Sequence, residues 1–229
     1  MDKDHKRLLL FASVFVLVTA GLCIVFWPLL SRLQDDVYRE RFSAWIHSLG
    51  PKGILILSGL QVLQIVVAVI PGEPVELIAG AAYGTFGGLF ICLGACVLAS
   101  SFVYVLVRRF GESFLYRFFS KEKLERYTFL RFLHSRQKTA IAVFILFLIP
   151  GTPKDLLTYL VPLSGLKASH FILISGFARI PSILSSTWMG ATAVQGNWLA
   201  LLLLFAATAG LGLCGIFFSE RIINSLRLN

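Results

Sequence analysis

Between Leu8 and Leu30 the chain runs for 23 residues without a charge, and 86–107 and 197–218 are likewise uncharged. A fourth apolar run, 168–189, is interrupted near its middle by Arg179. A helix that crosses the hydrocarbon of a bilayer needs about 20 apolar residues, so each of these runs predicts a membrane-spanning helix. Composition agrees: 57% of the 229 residues are hydrophobic, 14% are charged and the mean hydropathy is +0.80. Ordinary soluble domains carry about 25% charge. The expected fold class is an all-α polytopic membrane protein.

Two further apolar stretches, 53–83 and 139–163, are each broken by a Pro-Gly-x-Pro sequence. Their arms are short or interrupted, so each reads as a re-entrant helical hairpin that enters and leaves on one side. Non-helical backbone at that depth must be buried in protein or face a wet cavity. The breaks are related to each other. Ile70-Pro71-Gly72-Glu73-Pro74-Val75-Glu76-Leu77 aligns without gaps, at an offset of 79, on Ile149-Pro150-Gly151-Thr152-Pro153-Lys154-Asp155-Leu156. The single span 86–107 between them inverts the second copy relative to the first. Paired Gly/Pro interruptions of this kind mark the substrate site of inverted-repeat transporters. The chain divides into an N-terminal helix and amphipathic linker (1–52), a core (53–190) and a C-terminal helix with a basic tail (191–229).

Charge sets the orientation. One side would carry Lys3, Lys6, Arg7, nine Lys/Arg between Arg108 and Lys138, Lys167, Arg221 and Arg227. The other has Arg32, Arg39, Arg41 and Lys52, which places both termini in the cytoplasm by the positive-inside rule. That patterning accounts for the net charge of +9 without nucleic acid. The segment 112–136 mixes apolar and basic residues at helical spacing, as expected of an inner-leaflet helix or a basic surface connector. The apolar run at 8–30 is too long for a signal-peptide core. Cys23, Cys92, Cys96 and Cys214 form no ligand cluster with the scattered histidines, so no metal or cofactor is expected. No nucleophile–base pair or nucleotide loop points to an enzyme.

Five ionisable residues remain inside the apolar stretches: Glu73, Glu76, Lys154, Asp155 and Arg179. Such groups are costly in lipid and mark functional sites by default. One reading is structural. Pro74 and Pro153 suit the first turn of a helix, and Thr152-Pro153-Lys154-Asp155 has capping-box spacing, with Glu73-Pro74-Val75-Glu76 a poorer version. The other reading is functional. Two half-helix N-termini meeting at mid-depth favour an anionic group such as phosphate, with Glu73, Glu76 and Asp155 as candidates for proton exchange. Arg179 needs a carboxylate, a phosphate or a cavity. Asp155 or Glu76 is the expected partner, in a permanent ion pair or a working one. Gly176 and Pro181 predict a local break in its helix. Arg108 and Arg109 snorkel at the interface or capture a headgroup there. Gly80, Gly84, Gly87, Gly88, Gly94 and Ala95 read as close helix packing.

IPGEPVELIAGAAYGTFGG followed by VYVLVRRFG, then IPGTPKDLLTYLVPLSG and ARIPSILSSTWMG, resembles the DedA and VTT-domain superfamily of SNARE-associated Golgi proteins. The resemblance covers about 53–190. It implies two opposed re-entrant hairpins and movement of membrane lipids: phospholipid or undecaprenyl phosphate in bacterial members, scrambling in eukaryotic ones. It also implies proton coupling in some members through acidic and arginine residues, which here fall on Glu73, Glu76, Asp155, Arg108 or Arg109, and Arg179. The chain departs from the commoner pattern in having apolar residues before Pro150, where relatives place an arginine, and Pro162 for a small residue. The expected function is a lipid transporter or scramblase of the plasma (inner) membrane with anionic headgroups as partners. A proton-coupled carrier of a small solute and a membrane organising protein are the alternatives.

Overall fold

The computed structural model describes residues 35–68, 72–111, 136–148 and 154–211. All regular structure among them is helical. In chain order the helices are α1 (Asp36–Val67), α2 (Glu73–Phe110), α3 (Arg136–Leu148), α4 (Lys154–Leu160), a 3-10 turn (Val161–Ser164), α5 (Ala168–Val194) and α6 (Trp198–Leu211). Ser48–Val67, α2 and α5 are long and apolar enough to cross a membrane. The expected first span (8–30), most of the basic connector (112–135), Pro71, Pro150, Gly151 and Pro153 lie outside the described residues. The last expected span, 197–218, is described as far as Leu211.

The nominal lengths of α1 and α2 conceal reversals. In α1, Gly50 has φ 49° and ψ −135°, a left-handed conformation that favours glycine, and Pro51 starts a new helical segment. In α2, Gly84 takes φ 73° and ψ 173°. A Cβ on Gly88 would stand 2.8 Å from the backbone of Ala79 and Gly80. Nine residues of straight helix would hold those positions about 13 Å apart. The chain therefore folds back at Gly84, and 73–83 lies against the helix that follows it. The Gly84 end of that short arm also meets α1: Tyr83 Oη donates to Gly50 O at 3.2 Å, and Gly53 packs on the same hydroxyl. The segments 51–67 and 73–83 thus run side by side, with Gly50 and Gly53 against Tyr83 at one end and Gln64 against Gly72 at the other.

Both arms of α2 pack on α5. Gly80 packs against the Thr187 backbone and Gly190 against Leu77, Gly176 lies against Val97, and Tyr104 Oη donates to Leu166 O at 2.8 Å. The Val97 and Tyr104 contacts order 85–110 antiparallel to α5. The Gly84–Gly88 bend is level with Thr187–Gly190, and Tyr104 is level with Leu166–Phe171. The second broken unit, α3 and α4, packs at the Tyr104 end. Its core holds Val103, Val107, Ala142, Val143, Leu146, Phe147, Leu157 and Phe171. The first unit packs toward the other end around Ile65, Ala79, Leu89, Cys92 and Ile183. Gly165, at φ 78°, ends the second unit as Gly84 ends the first.

The arrangement is inside out relative to a soluble domain. Phe86, Phe90, Leu98, Phe102, Val105, Leu173, Phe177 and Trp188 are exposed, whereas Gln61, Gln64, Glu76, Ser100, Thr158, Ser175 and Arg179 are buried. An apolar band outside a polar interior is what lipid solvent selects. Among the expected packing positions, Gly80 and Gly88 make close contacts, Gly84 turns the chain, and Gly94 has nothing within 4 Å. The expected break beside Arg179 is absent: α5 continues through Gly176 and Pro181. One proline removes a single helical hydrogen bond, and packing on both sides keeps the turn helical.

Candidate functional site

Four elements converge on Asp155 and Arg179. From α4, Asp155 turns inward. Its Oδ1 accepts from Arg179 Nη2 at 3.0 Å, an ion pair between α4 and the middle of α5. Its Oδ2 accepts from Gln64 Nε2 of α1 at 2.5 Å. Arg179 Nη2 also donates to Thr158 Oγ1 at 3.0 Å, and that hydroxyl donates to Lys154 O at 2.9 Å. The Arg179 guanidinium stands 5.3 Å above the Phe147 ring, a cation–π contact worth about 0.5–2 kcal/mol. Tyr159 Oη donates to Val66 O, a second bond from the second unit to the first.

Arg179 is only 5% exposed, so its charge depends on these partners. Removing one member of such a buried pair costs about 3–5 kcal/mol because the other ion is left bare. Yet the pair is incomplete. Asp155 engages one nitrogen, and Arg179 Nε is buried with no hydrogen-bond partner among the described residues. Gln61 Oε1, Gln64 Oε1 and Ser100 Oγ are in the same condition. Gln61 Nε2 reaches Cys96 Sγ at 3.6 Å, and Cys96, one helical turn before Ser100 on α2, lies within the fields of Arg179 and Asp155. Each unpaired buried polar atom costs about 1–3 kcal/mol. Several of them close together are donors and acceptors that a polar ligand could use.

Glu76 is placed differently. It is 7% exposed, in the first turn of α2. Ser186 lies beside it, and Glu73, Lys154 and Arg179 are the charges nearest to act on it. No cation lies within ion-pair distance of it among the described residues; the ion pair there is Arg179–Asp155. Glu73 is exposed and Lys154 half-buried, both at the mouth of the same site. Arg108 and Arg109 are exposed in the last turn of α2, beyond Tyr104 and away from the ion pair.

The capping expectation fails for the first unit. Gly72, not Glu73, is the N-cap of α2; it has no side chain to cap with, and its carbonyl accepts from Val75 and Glu76 at 3.0 and 3.1 Å. Glu76 turns into the protein rather than back along its own helix. In the second unit the expected cap, Thr152, lies outside the described residues, and both Asp155 oxygens are engaged by other elements. Sequence reasoning missed Gln61, Gln64, Thr158 and Ser186. The two glutamines carried a signal: amides three residues apart in an uncharged apolar run share one helical face. A cavity of about 380 Å³ between Gly80–Gly84 and Ala191–Gln195 has no charged lining and lies at the Gly84 bend, not at the ion pair.

Fold and site together define a polytopic α-helical membrane protein with a buried charged centre between broken helices. A family model of the VTT domain matches residues 70–192, just over half of the chain. The chain belongs to the VTT-domain family, the family of DedA and SNARE-associated Golgi proteins. The match starts at the break of the first unit, so the first arm, 53–69, precedes it. No curated protein and no solved structure matches the chain.

Proposed function

We propose that this protein moves an anionic lipid, a phospholipid or a polyprenyl phosphate, across the bilayer between two re-entrant hairpins arranged as an inverted repeat. The contacts support that architecture. The first unit opens at Gly50 and Tyr83, level with Thr187–Gly190, and the second opens toward Leu166, level with Tyr104. Their closed ends meet through Gln64 and Asp155 beside Arg179, midway along α5. Hairpins entering from opposite leaflets and touching at mid-depth give each leaflet access to one centre. The charge bias supports an orientation with both termini in the cytoplasm, and the membrane we assign is the plasma (inner) membrane.

The observation that carries the reading is Arg179: buried, held by one nitrogen, with a free donor at Nε. A guanidinium is a planar fork suited to phosphate oxygens. A headgroup phosphate would take the free edge while Lys154 neutralises its second charge and the acyl chains stay against the exposed Phe and Leu band. Glu76 is the group we assign to proton exchange. It can change charge without breaking an ion pair, and a proton crossing the field gains about 2.3 kcal/mol per 100 mV. The test is reconstitution in liposomes with fluorescent phosphatidylglycerol, with and without a pH gradient. The expected result is lipid movement above that of empty vesicles, lost in Arg179→Gln. Uptake of a soluble solute without lipid movement would replace this function with that of a small-solute carrier.

A further inference from the structure

Arginine and a carboxylate pair most strongly side-on, with two parallel N–H···O bonds from Nε and Nη2, which share one edge of the fork. Nothing about the Arg179 side prevents that here, because its Nε is buried and unpaired. The restraint is on the other partner. Asp155 Oδ2 is held at 2.5 Å by Gln64, a residue 3% exposed on a different unit of the fold.

We propose that Gln64 is a positioning residue that keeps the Arg179–Asp155 pair open. By holding Oδ2, it stops Asp155 from closing onto the guanidinium edge and so preserves Nε for an incoming anionic group. This inference rests on the anion-binding role of Arg179 given above. It adds a consequence that a simple structural latch does not have: removing Gln64 strengthens the ion pair and weakens the ligand site. Gln64 is itself seated by the break. A Cβ on Gly72 would lie 3.0 Å from Gln64 Oε1 and 3.2 Å from its Cδ, closer than ordinary contact. Gly72 has φ −81° and ψ −24°, a conformation open to any residue. Alanine at 72 therefore fits the backbone and displaces the Gln64 amide. Gly72 in the first unit is tied in this way, through Gln64, to the carboxylate of Asp155 in the second.

The experiment uses the full chain with Gln64→Met, which keeps the length of the side chain and removes the donor, and separately Gly72→Ala. In a structure of Gln64→Met in lipid nanodiscs, Asp155 Oδ2 should lie within hydrogen-bond distance of Arg179 Nε. Asp155 remaining on Nη2 alone would overturn the proposal. In vesicles, initial rates are followed against the mole fraction of fluorescent phosphatidylglycerol. Half-saturation should rise about tenfold in Gln64→Met, with the maximal rate within about twofold and thermal stability equal or higher. Gly72→Ala should shift half-saturation in the same direction by less. A fall in maximal rate at unchanged half-saturation, or a parallel loss of stability, marks Gln64 as structural and sinks the idea. If the unsubstituted protein moves no lipid, the transport reading fails, and the carboxylate geometry in Gln64→Met alone decides the role of Gln64.

Discussion

The two broken units begin from nearly the same sequence and end with opposite electrostatics. In the second, Asp155 is gripped from two sides, by Arg179 and by Gln64. In the first, Glu76 occupies the matching position, more deeply buried than Asp155 and, among the described residues, with no cation at ion-pair distance. A repeat that duplicated one role would have duplicated the arginine. Under the proposed function, the difference means that the units are specialised: one fixes a charge in place and the other leaves a charge free to change.

That contrast can be broken in order of expected effect. Asp155→Asn should be the most damaging, because it strands a guanidinium that is 5% exposed. A loss of about 3 kcal/mol in unfolding free energy is expected, measured by denaturation in mixed micelles. Glu76→Gln should leave stability within about 1 kcal/mol of the parent, since no ion pair is broken, while the response of transport to a pH gradient disappears. Equal destabilisation by both substitutions would erase the distinction between the units. Tyr159→Phe removes the hydroxyl that reaches Val66 O across the units. It should cost about 1 kcal/mol, with transport affinity unchanged. Gly94→Ala should have the smallest effect, near zero, because nothing lies within 4 Å of the added methyl.

Much of this centre is legible in the sequence, and the reasons differ from one residue to the next. The breaks could be read because Pro-Gly-x-Pro cannot continue a helix and occurs twice at an offset of 79. Arg179 could be read because a lone arginine in an apolar span must find a partner. Gln64 was not, since a neutral amide costs far less in an apolar run than a charge does and raises no comparable alarm. The reversal at Gly84 was also hidden. Gly80, Gly84, Gly87, Gly88 and Gly94 look alike in sequence, and only the backbone shows that one of them turns the chain while two permit close approach. The capping-box reading of Glu73–Glu76 failed because spacing alone does not say whether a side chain turns toward its own helix or into the protein.

The central claim is that the chain from Gly50 to Gly84 goes in and comes back on one side, although Ser48–Val67 by itself has the length and apolarity of a crossing helix. The most direct test is side-specific labelling of cysteines placed at Lys52, Thr85 and Lys167, in oriented vesicles and a background without native cysteines. Labelling of 52 and 85 by an impermeant maleimide from one side, and of 167 from the other, is the predicted result. Labelling of 52 and 85 from opposite sides would contradict the account.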